Sequence, residues 1–199
     1  MEDTTGLETQ NEEINVLDES NENVVTFSKE MSINLYNFNK GKYSDLSIPY
    51  TTIKIAKKAR LSGFRQVNYE VFNRPDQSSH LRSMLDLWGF RSYVDYLYTV
   101  CELGFLEGLI PVVDFGFLSP DELRKLHDVV ALFRVPLFTE TDLIMDNYNI
   151  RNLDRAKHVR SLSFEWVNKL GYANSTGFFV YKGQRVSEIS ELLLLISDI

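Results

Sequence analysis

LIPVVDFGFLSPDELRKL, residues Leu109 to Leu126, decides how the chain is built. Leu109 to Asp114 is a short apolar run closed by an acid, which reads as a strand. Ser119-Pro120-Asp121-Glu122 then opens a helix. Ser serves as cap, Pro suits a first turn whose N–H groups have no partner, and Glu three residues after the cap can reach back to its amide. Gly108, just before the strand, is placed to end a preceding helix. Helix, strand and helix in so little sequence is the rhythm of βα units on a parallel sheet.

The same rhythm extends in both directions. Upstream, a helical region from about Gln77 to Glu107 breaks near Trp88-Gly89, and its second half sets Tyr93, Tyr96, Leu97, Val100, Cys101 and Phe105 along one side. Before it come a strand at Arg65 to Val71, ended by Asn73, Arg74 and Pro75, and a helix from Pro49 to Gly63. A first strand at Ser32 to Phe38 leads into a turn-prone loop at Asn39, Gly41, Ser44 and Asp45. Downstream, Val129 to Phe138 reads as a strand interrupted by Arg134 and Pro136. A helix from Leu153 to Leu170, a strand at Thr176 to Tyr181 and a last helix from Ser187 follow. The expected fold is α/β, with about five parallel βα units.

Composition agrees with one globular domain: of 199 residues, 44% are hydrophobic and 13% aromatic. The net charge of -7 is gathered at one end. Glu2, Asp3, Glu8, Glu12, Glu13, Asp18, Glu19 and Glu22 supply eight of the 28 acids, and residues 1–23 contain no Lys or Arg, so the remainder is near neutral. Residues 1–25 are therefore expected to be an acidic disordered tail, and residues 26–199 the folded domain. No secretory or transit pattern and no membrane-length apolar run is evident, and a lone Cys101 fits the cytoplasm or another soluble reducing compartment.

Four stretches carry a resemblance: TFSK (Thr26 to Lys29), WGFRSYVDYLYTVCELGFLEGLIP (Trp88 to Pro111), GFLSPDELRKL (Gly116 to Leu126) and the pattern of Gly177 to Ile199. Together they resemble the radical S-adenosylmethionine (SAM) enzymes of the 7,8-didemethyl-8-hydroxy-5-deazariboflavin synthase family, in the part that carries the first radical step. The resemblance implies a radical SAM type TIM-like barrel, here partial (incomplete), since the family barrel continues after its fifth strand. It also implies a strand leading into Cys-x-x-x-Cys-x-x-Cys, which holds a 4Fe-4S cluster. Laid on that motif, this sequence offers Asn39, Tyr43 and Leu46. None of them supplies the thiolate that such clusters need. Other positions depart as well: Phe72 and Asn73 stand where a Gly-Glu type turn is expected, Val112 and Asp114 where His and Asn are expected, and Tyr181, Lys182, Gly183 and Gln184 where Gly-x-Gly-Glu is expected.

These departures lead to the expectation of a pseudoenzyme with no catalytic residues, cofactor or metal, acting as a structural or regulatory subunit of a larger assembly. A protein partner or a second copy would cover the open side of the barrel. The alternatives are a binder of a flavin- or nucleotide-like small molecule and a divergent enzyme of deazaflavin metabolism. His80, His127 and His158 have no metal-ligand spacing. Asp76 and Asp114 could both reach the C-terminal rim of the sheet, where barrels place their sites, but carboxylates there also cap helices. Arg151, Arg155, Lys157, His158 and Arg160 read as a solvated basic helix face, and no nucleic-acid role is expected of so acidic a chain.

Overall fold

The structure, a computed structural model, describes residues 30–34, 36–39, 42–71, 76, 78–137, 153–178 and 185–197. In chain order these form β1 (Glu30–Asn34), β2 (Tyr36–Asn39), β3 (Lys42–Leu46), α1 (Pro49–Leu61), β4 (Gln66–Val71), α2 (Ser79–Leu87), α3 (Tyr93–Leu106), β5 (Ile110–Phe115), α4 (Pro120–Leu126), β6 (Leu132–Leu137), α5 (Leu153–Lys169), β7 (Asn174–Phe178) and α6 (Val186–Ser197). The expected acidic tail lies outside the described residues.

Five strands lie side by side in the order β1, β4, β5, β6, β7, and every neighbouring pair is parallel. Sheet order thus follows chain order, without the reversal that marks a doubly wound sheet. The helices advance with it: α1 packs on α3, α3 on α4 and α4 on α5. Among the described residues β1 and β7 are the edges. No helix among them is long and apolar enough to cross a membrane.

Strand alternation sorts the residues into two faces. Val67, Tyr69, Val113, Phe115, Phe133 and Val135 are all buried on the face that meets the helices, together with Ala56, Ala59, Val100, Cys101, Leu123, Leu126 and Val167. Phe115 and Phe133 meet edge to face with centroids 6.0 Å apart. Aromatic payloads of this kind supply about 1.5–3 kcal/mol each and fix the sheet against its helices.

Tyr69 anchors the thickest part of this core. Its hydroxyl donates to the carbonyl of Val100 at 2.9 Å, and burial pushes the phenol above its ordinary pKa, so it stays a neutral donor. Gly104, one turn further along α3, lets the helix approach: a Cβ there would overlap the Tyr69 hydroxyl. Phe105 departs from expectation. It is 63% exposed, because the buried stripe runs through Tyr93, Leu97, Val100 and Gly104 and the next position has turned off it.

The helix boundaries follow their capping chemistry. Ser119 accepts from the Glu122 amide, and Glu122 Oε2 accepts from the Ser119 amide at 2.8 Å, completing the capping box that starts α4. Gly108 ends α3 in the left-handed region at φ 80, as its position in the sequence predicts. Ser92 caps α3 by accepting from the Asp95 amide at 3.1 Å and donating to Asp95 Oδ2 at 2.9 Å.

Lys125 of α4 reaches across to Asp95 Oδ1, tying the two helices. Lys125 first, and then Ser92, hold the Asp95 carboxyl below its ordinary pKa. A depressed carboxylate stabilises the fold above its unfolded pKa of about 3.9, and that contribution is lost as pH falls through the folded value. Asp95→Asn should therefore cost about 1 kcal/mol at pH 7, and the gap to the parent should narrow as pH falls below the unfolded value of about 3.9. Thermal melts across that range check it; a gap independent of pH would contradict it.

Two further expectations need correction. Ser32 to Phe38 is not one strand followed by a loop: β1 stops at Asn34, and β2 and β3 form a separate antiparallel hairpin with a register shift between Asn37 and Phe38. The supposed loop residues Asn39, Ser44 and Asp45 are hairpin strand positions: Asn39 pairs with Lys42 and Asp45 with Asn37, and Ser44 is the extra residue of β3 at the register shift. The second correction is Arg160, which is buried rather than on a solvated helix face. Its Nη1 donates to the Phe115 carbonyl at 3.5 Å, fastening α5 to the end of β5. An apolar strand end leaves a carbonyl that α5 can bind only by burying a long donor.

Candidate functional site

On the sheet face opposite the helices β4 is polar along its length. Gln66, Asn68 and Glu70 of β4 alternate with the helix-facing Val67 and Tyr69, and Gln66 Nε2 donates to Asn68 Oδ1 at 3.1 Å along that face. The register then aligns a row: Asn34, Glu70, Asp114, Arg134 and Ser175 are successive Cα partners across β1, β4, β5, β6 and β7. At about 4.8 Å per strand this row spans roughly 19 Å.

At its centre Arg134 Nε lies 3.3 Å from Asp114 Oδ1, with side-chain exposures of 29% and 10%. Opposite charges at directly paired positions attract each other, and burial strengthens the attraction. One row below, Asn68 and Val112 are almost fully buried. The row therefore sets carboxylate acceptors, a guanidinium donor and a hydroxyl at one depth on a firm floor. It is suited to hydrogen-bond a ligand that carries both donors and acceptors.

Asp114 lies in this row, whereas Asp76 falls in the segment that leaves β4. Asn39, Tyr43 and Leu46 are strung along the β2–β3 hairpin, with Asn39 paired to Lys42, Tyr43 to Phe38 and Leu46 to Tyr36. His80 and His158 are exposed on separate helices, and His127 stacks on Tyr172 at 4.1 Å beyond α4. Among the described residues no three His, Cys, Asp or Glu side chains gather as a metal site. Cys101 is wholly buried under the sheet, and burial pushes its thiol up.

Arg151 and residues 179–184 lie outside the described residues. Sequence reasoning treated Arg134 as an interruption of its strand and passed over Glu70. The signals were present: Asn68 and Glu70 alternate with Val67, Tyr69 and Val71, and Asp114 and Arg134 carry opposite charges in consecutive apolar strands.

No protein-family model matches the chain. A likeness to a mandelate racemase/muconate lactonizing protein from Herpetosiphon aurantiacus, with 7% identity over 78% of this chain and 47% of that one, has a TM-score of 0.27, too low to bear on the fold. Curated relatives are more informative. A 7,8-didemethyl-8-hydroxy-5-deazariboflavin synthase from Methanothermobacter thermautotrophicus is 29% identical over 115 residues, 57% of this chain and 35% of the relative. The synthase of Methanocaldococcus jannaschii is 25% identical over 187 residues, 88% of this chain and 52% of the relative. The chain spans about half the length of these relatives or less, and its similarity to the deazariboflavin synthases is distant and partial.

Proposed function

We propose that this chain is a non-catalytic relative of the deazariboflavin synthases that holds a small polar ligand on the inner face of its sheet. The observation that carries the binding half of this reading is the row of Asn34, Glu70, Asp114, Arg134 and Ser175 in register across five strands. A sheet face meant only for packing would be apolar there.

The non-catalytic half is supported by donor chemistry. A 4Fe-4S cluster held at three protein positions needs three soft sulfur ligands. This sequence has a single cysteine, and its thiol is buried in the helix–sheet core. The positions laid on the cluster motif present an amide, a phenol and a hydrocarbon, which do not fit that group. Fold outlasts chemistry in this way because activity resides in a few residues grafted on a scaffold.

Protein isolated from its own host, denatured and read by mass and absorbance, should release one small molecule per chain. Glu70→Gln, which keeps the shape and removes a charge, should lower that occupancy several-fold while leaving the melting temperature near the parent's. Stoichiometric protein with no released molecule would overturn the binding half.

A second reading, a subunit of a larger assembly, is favoured by α6, where Leu193 and Leu194 are 53% and 65% exposed. Consecutive leucines cover more of a helix than one contact face can bury. Crosslinking in the host extract that recovers only the free chain would remove it.

A further inference from the structure

The lower end of the sheet, where the strands begin, carries side chains that the ligand row does not use. Lys57 Nζ lies 3.5 Å from Glu107 Oε1, which ties the end of α1 to the end of α3. Arg60 Nε sits 3.2 Å from where a Cβ on Gly108 would stand, and the Ile110 amide donates to the Arg65 carbonyl at 2.8 Å. The end of α1, the α1–β4 turn and the α3–β5 turn are thereby joined into one surface. Leu61, Phe105, Leu106 and Ile110 all lie within a residue or two of these contacts, and they are 89%, 63%, 71% and 49% exposed. Lys57, Lys58 and Arg65 are exposed beside them and Arg60 is half-buried. Two acids stand against these cations: Glu107, engaged by Lys57, and Glu102, exposed one turn back on α3. The carbonyls that end α1 favour Lys58 and Arg60 at their positions. They do not explain four large apolar side chains in the open, and such a group marks an interaction surface.

We propose that this end of the molecule docks on a membrane surface rich in anionic lipid headgroups. Charge is the first observation that selects this occupant. Lys57, Lys58, Arg60 and Arg65 gather in one helix end and the turn after it, and each cation held near an anionic bilayer strengthens binding. The net charge of -7 over the whole chain does not cancel them. Screening confines a charge to about 8–10 Å at ordinary ionic strength, so the local set decides. Shape is the second. The apolar groups project from two helix ends and a strand start. The boundary between headgroups and acyl chains takes up such side chains without a complementary surface. Lys and Arg suit the same depth, because their stems lie along apolar material while their charged heads stay in water.

The other occupants fit less well. Pairing this surface with a second copy of itself would set Lys57, Lys58, Arg60 and Arg65 against their own counterparts, and like charges across an interface are costly. An acidic protein would meet the cations but would have to supply pockets for four projecting side chains from three separate segments.

Flotation of the full chain with vesicles tests the proposal, one set of phosphatidylcholine alone and one in which about a third of the lipid is phosphatidylserine. The chain should float with the anionic set at low salt and not with the neutral set. Raising salt to about 1 M, where the screening length falls to about 3 Å, should release most of it. Lys58→Glu with Arg65→Glu should weaken binding at least about tenfold. Leu61→Ser with Leu106→Ser should do so too, while Leu87→Ser, at a position 82% exposed on α2, should float like the parent. All these positions are exposed, so melting temperatures should stay near the parent's. No flotation with the anionic vesicles at low salt would overturn the proposal, as would either double variant floating like the parent. Retention on immobilised polyglutamate without flotation would assign the surface to an acidic protein and overturn it. So would light scattering that finds the parent dimeric and Leu61→Ser with Leu106→Ser monomeric, because that result assigns the surface to a second copy.

Discussion

Methionine in place of Arg134 should destabilise the fold by about 2–3 kcal/mol and lower the melting temperature by roughly 5–10 °C. Its guanidinium faces Asp114 from the paired position on the next strand, Nε to Oδ1 at 3.3 Å. Removing it leaves a carboxylate, 10% exposed, one row above the buried Asn68 and Val112, without the guanidinium that faces it from β6. Breaking a fully buried pair costs about 3–5 kcal/mol, and the lower figure reflects the 29% exposure of the Arg134 side chain. Adding Asp114→Asn should recover part of the loss, since the stranded charge goes with it. Equal stability of Arg134→Met and the parent would show that the row is not held by this pair.

Gly104→Ala should cost about 2–3 kcal/mol, an unusual amount for a substitution that ordinarily favours a helix. The new methyl would overlap the Tyr69 hydroxyl, whereas the Tyr69 ring carbon and Val67 Cγ1 stand at a tolerable 3.4 Å. Relief requires the phenol to move and give up its bond to the Val100 carbonyl. Tyr69→Phe alone should cost about 1 kcal/mol for that lost bond. The double variant should then be more stable than the sum of the two singles by at least about 1 kcal/mol, because the oxygen that clashes has been removed. Chemical denaturation of the four proteins gives the coupling directly. Strict additivity would mean that α3 moves away as a body and that Gly104 does not set its approach.

The order of the parallel sheet was legible because its punctuation is local. Ser119, Pro120 and Glu122 start α4 wherever they occur, and Gly108 stops α3 by a backbone conformation that other residues resist. Trp88-Gly89 parts α2 from α3 for the same reason. The β2–β3 hairpin was not legible, since Asn39, Ser44 and Asp45 are turn formers by type and become strand only through pairing, a non-local cause.

The polar row was half legible. Alternation in QVNYEV, Gln66 to Val71, already separates a polar face from an apolar one. That Asp114 meets Arg134 depends on the register between β5 and β6, which no single strand reveals. Arg160 misled for a related reason: a basic run along a helix reads as solvated, yet the turn that faces β5 carries its arginine inward. The resemblance to the deazariboflavin synthases, read from Trp88 to Pro111 and Gly116 to Leu126, is matched by the similarity to the curated synthases.

Anaerobic reconstitution with iron and sulfide tests the non-catalytic reading most directly. After desalting, the purified chain should retain far less than one cluster, with no charge-transfer absorbance in proportion to protein and no change on adding SAM. One 4Fe-4S cluster per chain, stable to desalting and perturbed by SAM, would contradict it.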